Sequence, residues 1–410
     1  MRTVPEHQRA ALALVRPLPV IRVALEDADG YVLAEDVRAP TALPRWDNSA
    51  MDGYAVRADD VVDASPEQPV TLRVLADLAA GSDAEPQVTV GAAARIMTGA
   101  PVPPGADAIV PVEATDAGTV EVRIRSSARA GVHIRRVGED LAAGDGVLDA
   151  GTLLGAAQVS AAASVGRATL AVHRRPRVAV LSTGSELVGP GEPLRRGQIP
   201  DSNSFLLAAL VRAAGCDVVR LGAVPDDAAT LRSLLSTWDG APDGDRVDAV
   251  VSSGGVSMGA YDVVKEVLAE QAGMEFVAVA MQPGKPQGLG RLPGGTPVLA
   301  LPGNPVSAFV SFHVFVRPVL QRLRGLAAAV AEPGSAVVDD AWRTPPGREQ
   351  YMPVTIHAGP DGDRVRRAVG GGSGSHLVGG LARAQALAVV PADVEEVRPG
   401  DRVRVMRVDR

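Results

Sequence analysis

The spacing of apolar and polar residues changes character several times along this chain, and each change marks a different kind of structure. Residues 1–43 open with a helix pattern and carry a second one in Leu25-Glu-Asp-Ala-Asp-Gly-Tyr-Val-Leu-Ala34, before Pro40 and Pro44 end the segment. From 44 to 141 short apolar runs such as 70–75 and 121–124 alternate with Gly/Pro turns, which predicts a compact, mostly β insertion. Residues 142–173 return to a Gly-bounded helix, 158–165, and short β segments that pack back on residues 1–43, so the first domain is expected to be discontinuous. Between 174 and 326 strands (177–181, 217–223, 247–251) alternate with helices (204–214, 228–238, 262–271). That alternation predicts a three-layer α/β domain with a mainly parallel sheet. The tail, 327–410, has alternating apolar positions in 351–356, 386–390 and 403–408 and reads as a small, barrel-like β domain, with Gly370-Gly-Gly-Ser-Gly374 as a loop within it. No solenoid period repeats.

Composition narrows the chemistry. Hydrophobic residues make up 46% of the 410 but aromatics only 3%, so the core is built from Ala, Val and Leu, and no platform for stacking bases is expected. The net charge of −7 excludes nucleic-acid binding through general electrostatics, and any anionic ligand must be met by local donors. Cys216 is the single cysteine, which excludes an intrachain disulfide framework and a multi-cysteine metal site and fits a reducing cytoplasm. No continuous apolar core marks a signal peptide, and no run approaches the roughly 20 residues of a membrane span. The expectation is a cytoplasmic protein without membrane or nucleic-acid partners.

The chemistry-bearing residues sit in loops. Ser252-Ser-Gly-Gly-Val-Ser-Met-Gly-Ala-Tyr-Asp262 joins a strand to a helix. Its glycines let backbone N–H groups approach an anion, the helix N-terminus adds partial positive charge, and Asp262 stands where a metal would meet that anion. Ser182-Thr-Gly-Ser-Glu186 follows the first strand of the α/β segment, so Thr183, Gly184 and Glu186 open at the sheet edge where ligands collect; the alternative is a plain β turn. Of Asp226 and Asp227 one caps the next helix, leaving the other free for metal or water. In Gln282-Pro-Gly-Lys285 the lysine is held on a stiffened loop as a point charge for an oxyanion. Leu301-Pro-Gly-Asn-Pro-Val-Ser307 starts a helix with Asn304 as N-cap and Pro305 at N1. Earlier in the chain, Asp47-Asn-Ser-Ala-Met-Asp52-Gly reads equally as an Asx turn or a polar site, and Thr98-Gly-Ala-Pro reads by itself as a rigid connection. No His-x-x-x-His pair, Gly-x-Ser-x-Gly elbow or P-loop occurs, which leaves oxyanion, metal and phosphate chemistry carried by Asp, Glu, Lys and backbone amides.

Four of these segments, Asp47 to Ala55, Thr98-Gly-Ala, Ser252 to Gly259 and Leu301 to Ser307, occur in the order and spacing of one family, and together the chain resembles the molybdopterin molybdenumtransferases, the bacterial MoeA proteins and the gephyrin E domain. The resemblance implies an elongated homodimer in which 1–43 with 142–173 form the dimerisation domain, 44–141 the insertion, 174–326 the molybdopterin-binding domain and 327–410 the C-terminal β domain. It implies insertion of molybdate into adenylylated molybdopterin with Mg²⁺-dependent release of AMP. Asp52, Thr98, Glu186, Asp227, Asp262 and Lys285 then stand as catalytic positions. Thr183, Gly184, Ser252, Gly254, Gly255, Ser257, Gly284, Pro302, Gly303, Asn304, Pro305 and Ser307 line the substrate site, with Glu186, Asp226 and Asp262 as metal ligands. Asp52 and Thr98 are expected to complete the partner subunit's cleft, Arg136 is a weaker candidate, and a molybdopterin adenylyltransferase is a possible partner. Two departures stand out: Gln282 replaces a usual lysine, and Ser185 replaces a usual aspartate. Two alternatives remain at this stage. One is a molybdopterin adenylyltransferase, which usually has Gly-Gly-Thr-Gly where this chain has Gly254-Gly-Val-Ser257, and the other is a gephyrin-like non-catalytic scaffold.

Overall fold

The computed structural model describes residues 1–239, 241, 246–256, 263–269, 273–328, 330, 333–360, 362–368 and 378–408. The chain forms two compact units, one of residues 1–35, 150–155 and 169–410, the other of residues 36–149 and 156–168.

In the first unit a six-stranded sheet runs in the order Asp217–Val224, Arg177–Thr183, Ala249–Ser253, Pro297–Leu301, Pro286–Arg291, Glu275–Ala278. The first four strands are mutually parallel, Pro286–Arg291 runs antiparallel to them, and Glu275–Ala278 runs antiparallel to Pro286–Arg291. Successive residues serve opposite faces of the sheet. Val178, Val180, Val251 and Leu299 pack with Leu207, Val211 and Phe312 on one side. Ala179, Leu181, Val250 and Val298 pack with Leu231, Leu235 and Val264 on the other. Burial on both faces explains why these strands read as near-continuous apolar runs, and it gives the three layers expected. Truncating such a side chain, as in Leu299→Ala, costs about 2–5 kcal/mol through lost burial and the cavity left behind.

The strand Pro286–Arg291 was not anticipated, because Pro-Gln-Gly-Leu-Gly-Arg has little strand propensity. Its glycines are there for room: a Cβ on Gly288 would come within 2.8 Å of the Phe276 ring, and one on Gly290 within 2.4 Å of the Gly273 carbonyl oxygen. The helix expected at 25–34 is a correction. Leu25–Asp27 make one 3₁₀ turn, Gly30 takes φ +75°, and Val32–Leu33 form a strand pairing with Thr169–His173. Burial of Val32 and Leu33, each 1% exposed, overrides the local helix pattern. The opening helix, Val4–Ala13, is capped as its sequence suggests, with Thr3 and Glu6 forming a capping box.

The C-terminal strands close on themselves. Glu349–Gly359 pairs with both Gly362–Arg367 and Ala386–Val390, and the ring is completed through Gly334–Val338 and Arg402–Arg407, giving a five-stranded barrel around Val338, Met352, Val354 and Val365. Closure removes exposed sheet edges. The short strand Met281–Gln282 pairs in parallel with Glu349 and Gln350, which ties a loop of the α/β sheet to the barrel. The Gly370–Gly374 loop lies outside the described residues.

The second unit centres on a five-stranded sheet in the order Ala108–Pro111, Gly53–Val56, Ala92–Ile96, Val70–Leu78, Glu121–Ile124. The expected strands at 70–75 and 121–124 both appear in it. Its core holds Tyr54, fully buried, whose hydroxyl donates to the Gly118 carbonyl at 2.9 Å. The helix Ala156–Ser164 belongs to this unit.

A buried histidine makes the first unit acid-sensitive. His313, 5% exposed, lies in a π-helical turn, Phe312–Val316, with its ring edge-on to Phe309 and Phe312 and no hydrogen-bond partner for either ring nitrogen among the described residues. Burial, reinforced by Arg317, pushes its pKa down to about 3. The unfolded chain takes up this proton near pH 6.5 and the folded chain does not, so the stability is whole above pH 6.5 and falls as the pH drops toward 3. Between pH 7.5 and 5 the wild type is expected to lose about 2 kcal/mol more than His313→Leu in chemical denaturation; equal losses would contradict this account.

Candidate functional site

The C-terminal ends of the parallel strands carry the loops singled out from the sequence, and several of them border one cavity of about 940 Å³ within the first unit. Strand Arg177–Thr183 delivers Thr183, Gly184 and Glu186 to it. The Glu186 carboxylate folds back on the loop, so that a Cβ on Gly184 would lie 2.5 Å from Glu186 Oε2. Asp226, after strand Asp217–Val224, accepts from the Ser185 N–H at 2.8 Å, while its own N–H donates to Ser185 Oγ at 3.3 Å. This reciprocal clasp holds Asp226 beside Glu186, and both carboxylates line the cavity. Ser185 is the residue that closes the clasp.

The glycine-rich loop begins at Ser253. Gly254 takes φ +97°, its N–H donates to the Leu301 carbonyl at 3.0 Å, and a Cβ on it would strike the Thr183 carbonyl oxygen at 2.5 Å. Gly255 and Val256 continue the wall. Ser252 stays buried behind that wall, with no partner for its hydroxyl among the described residues. Ser257 and Asp262 lie outside the described residues. Pro302, Gly303, Asn304, Pro305 and Ser307 complete this side, with Asn304 at the N-cap of helix Pro305–Ser311 and Pro305 in its first turn.

Asp227 takes the capping role. Its Oδ2 accepts from the Thr230 N–H at 2.7 Å at the start of helix Ala228–Asp239, and that bonding to the Thr230 side chain and backbone holds its carboxyl below the usual range. Asp226, not Asp227, faces the cavity.

On the opposite side lies Gln282-Pro-Gly-Lys285. Lys285 is exposed and lines the cavity, while its carbonyl accepts from the Val279 N–H at 2.7 Å. Gln282 Oε1 accepts from Arg348 Nη1 at 3.0 Å, and Arg348 also lines the cavity. Arg348 comes from the edge of the barrel, brought there by the pairing of Met281–Gln282 with Glu349 and Gln350, and nothing local in the sequence marked it. Asp201 and Asn203 were missed as well. Asn203 Nδ2 donates to Ser253 Oγ at 2.7 Å and to the Gly303 carbonyl at 2.6 Å, so one amide ties the two glycine loops together. Buried Asp201 accepts from the Ser204 N–H at 3.0 Å and from Ser204 Oγ at 2.5 Å. Both follow a Pro-Asp-Ser-Asn turn at a helix start, a pattern that alone reads as a cap.

In the second unit, Asp52 and Thr98 meet each other. Asp52 Oδ1 accepts from the Thr98 N–H at 2.7 Å and from Thr98 Oγ1 at 2.8 Å, and these bonds lower the Asp52 pKa. Gly53 keeps this turn tight, since a Cβ there would lie 2.1 Å from the Val110 carbonyl oxygen. Asp47 accepts from Arg136 Nη1 at 2.5 Å and from the Val137 N–H at 2.8 Å. The 47–55 motif is thus a built polar turn rather than only an Asx corner.

The cavity thus gathers glycine loops, two cationic residues, Lys285 and Arg348, and two acidic residues, Glu186 and Asp226, at the C-terminal edge of the parallel strands. Family models match three stretches that together span most of the chain. The MoeA N-terminal region (domain I and II) matches residues 2–166, a probable molybdopterin binding domain 179–322, and the MoeA C-terminal region (domain IV) 335–408. Molybdopterin molybdenumtransferase 2 of Mycobacterium tuberculosis is 47% identical over 411 residues, covering 99% of both chains, and molybdopterin molybdenumtransferase 1 of the same organism is 38% identical over 425 residues, covering 99% of this chain and 98% of its own. A solved structure of the molybdopterin biosynthesis MoeA protein from Pyrococcus horikosii matches with TM-score 0.81 at 30% identity, covering 99% of this chain and 98% of that one. The chain belongs to the MoeA family of molybdopterin molybdenumtransferases, as its motifs led us to expect.

The Asp52–Thr98 pair gives a direct check on the second unit. Thr98→Val removes the hydroxyl donor and leaves the backbone N–H, so the Asp52 carboxyl is expected to titrate at a higher pH in a ¹³C carboxyl NMR titration; an unmoved midpoint would show that the hydroxyl does not hold it.

Proposed function

We propose that this protein inserts molybdate into adenylylated molybdopterin with release of AMP, as an enzyme of molybdenum cofactor biosynthesis. The observation that carries the reading is a cavity whose lining includes both Lys285 and Arg348 and the carboxylate residues Glu186 and Asp226. Both substrates are anions, and a chain of net charge −7 has to meet them with local donors. Full-length relatives named molybdopterin molybdenumtransferase, at 38% and 47% identity, support it.

The residues divide the work by charge. Lys285 is the point charge for a tetrahedral oxyanion. Arg348, bonded to Gln282, restores the cation that Gln282 does not carry, so the departure at 282 leaves the cavity with two cations. Glycine backbones at 254 and 303 let the ligand approach the main chain closely. Glu186 and Asp226 offer hard carboxylate oxygens beside the expected phosphate, a donor set that suits Mg²⁺, with Asp262 as a third candidate from sequence. Mg²⁺ held there would neutralise charge on the phosphate oxygens. When the phosphoanhydride is hydrolysed, water's oxygen adds to the molybdopterin-side phosphorus, the bond from that phosphorus to the bridging oxygen breaks, AMP leaves with the bridging oxygen, and whichever carboxylate of this pair does not hold the metal accepts the water proton.

Adenylylated molybdopterin has to come from a molybdopterin adenylyltransferase, which makes that enzyme the natural upstream partner. The adenylyltransferase reading of this chain is not favoured, because family models match both flanking regions as well as the central domain. We further propose a homodimer working in the cytoplasm, the latter on the single cysteine, Cys216, which is buried. No helix among the described residues is long and apolar enough to cross a membrane.

The assay supplies adenylylated molybdopterin, Mg²⁺ and molybdate and follows AMP release and metal incorporation. Wild type is expected to turn over, and Lys285→Ala to lose roughly 10²-fold in kcat/KM, the scale of one deleted oxyanion donor. Turnover from ATP and unmodified molybdopterin, with none from the adenylylated form, would sink the reading in favour of adenylyl transfer.

A further inference from the structure

Lys285 can serve as a fixed charge only if the loop that carries it is fixed. Its neighbour Gly284 takes φ +102°, in the left-handed region where a side chain is strained, and a Cβ there would also lie 2.9 Å from Ser311 Oγ. The Gly284 carbonyl accepts from Gln287 Nε2 at 2.7 Å, and the same Nε2 donates to Ser311 Oγ at 2.7 Å. Gln287 is 1% exposed and Ser311 fully buried. Ser311 closes helix Pro305–Ser311, whose first residues line the cavity. The next carbonyl, that of Lys285, is held by the Val279 N–H. The Gly284 and Lys285 carbonyls are therefore both tied down, while Lys285 itself is exposed and lines the cavity.

We infer that Gln287 is a positioning residue for Lys285: its side-chain amide, shared between the Gly284 carbonyl and Ser311, locks the lysine loop onto helix Pro305–Ser311, whose first residues line the same cavity. The chemistry of the two partners fixes which end of the amide is used. A carbonyl oxygen only accepts, so the atom 2.7 Å from it is the NH₂ group, and its two hydrogens serve the two partners. Ionised glutamate has no hydrogen to give, and leucine fills the space without making either bond. Pro283 stiffens one side of the loop, but Gly284 has no side chain to anchor it, so the amide supplies the restraint that the glycine lacks. The role rests on the reading of Lys285 as the oxyanion charge.

The test measures molybdate binding by calorimetry in the intact protein, together with backbone hydrogen exchange of the segment 281–289. Gln287→Leu is expected to weaken molybdate binding about tenfold and to speed exchange in that segment, since a loosened lysine spends less time in register. Ser311→Ala, which keeps the bond to Gly284, is expected to show a smaller effect of the same kind and keeps the test alive if Gln287→Leu fails to fold. In the Lys285→Ala background, Gln287→Leu is expected to add no further loss of affinity, because it acts through the lysine. Unchanged exchange, or a full additional loss in that background, would overturn the positioning role. Faster exchange in Gln287→Leu, combined with wild-type affinity in Lys285→Ala, would instead sink the assignment of Lys285 and leave the restraint on its loop standing.

Discussion

The close approach of Gly254 to the end of strand Arg177–Thr183 is the contact on which the cavity depends. Gly254 leaves its own strand at φ +97°, donates to Leu301 of the neighbouring strand, and lies so near the Thr183 carbonyl that a single methyl would collide with it. Three parallel strands are thereby brought to a common edge, and their loops have no room to separate. A Cβ on Gly303 would stand 3.5 Å from the Gly254 Cα, and the Asn203 amide bridges the two loops from behind. Because these bonds involve backbone groups in left-handed or tightly packed conformations, glycine is required at 254 for geometric reasons before any ligand is considered.

That edge allows an acidic protein to hold an anionic ligand. With 48 acidic and 41 basic residues, the overall field repels anions, and affinity has to come from charges within a few ångströms. Lys285 and Arg348 provide them from one side, drawn together because Met281–Gln282 pairs with the first residues of a barrel strand. Glu186 and Asp226 stand apart on the α/β loops, where Ser185 clasps Asp226 in place. Barrel and sheet are thus joined at the point where the charge is needed.

Much of this was legible because it follows from local rules. Strands buried on both faces read as apolar runs, a barrel strand such as Arg402–Arg407 as alternation, and the site loops as Gly/Pro punctuation at strand ends. What escaped was set by distant neighbours. Strand Pro286–Arg291 is glycine-rich because Phe276 and Gly273 press on it, and residues 25–34 fail as a helix because Val32 and Leu33 are claimed by a sheet strand more than 130 residues away. Arg348 carries no motif; its place at the cavity is created by a two-residue parallel pairing. Gln282 looked like a lost charge for the same reason, since the guanidinium beside it comes from another part of the chain.

The most direct measurement is the position of molybdenum itself. Crystals soaked in molybdate and measured at the molybdenum absorption edge are expected to show an anomalous peak within hydrogen-bonding distance of Lys285 Nζ, inside the cavity bounded by Gly254, Gly303 and Arg348. A peak held only by residues outside that cavity, with the cavity well ordered and the crystals still able to incorporate the metal, would contradict the account.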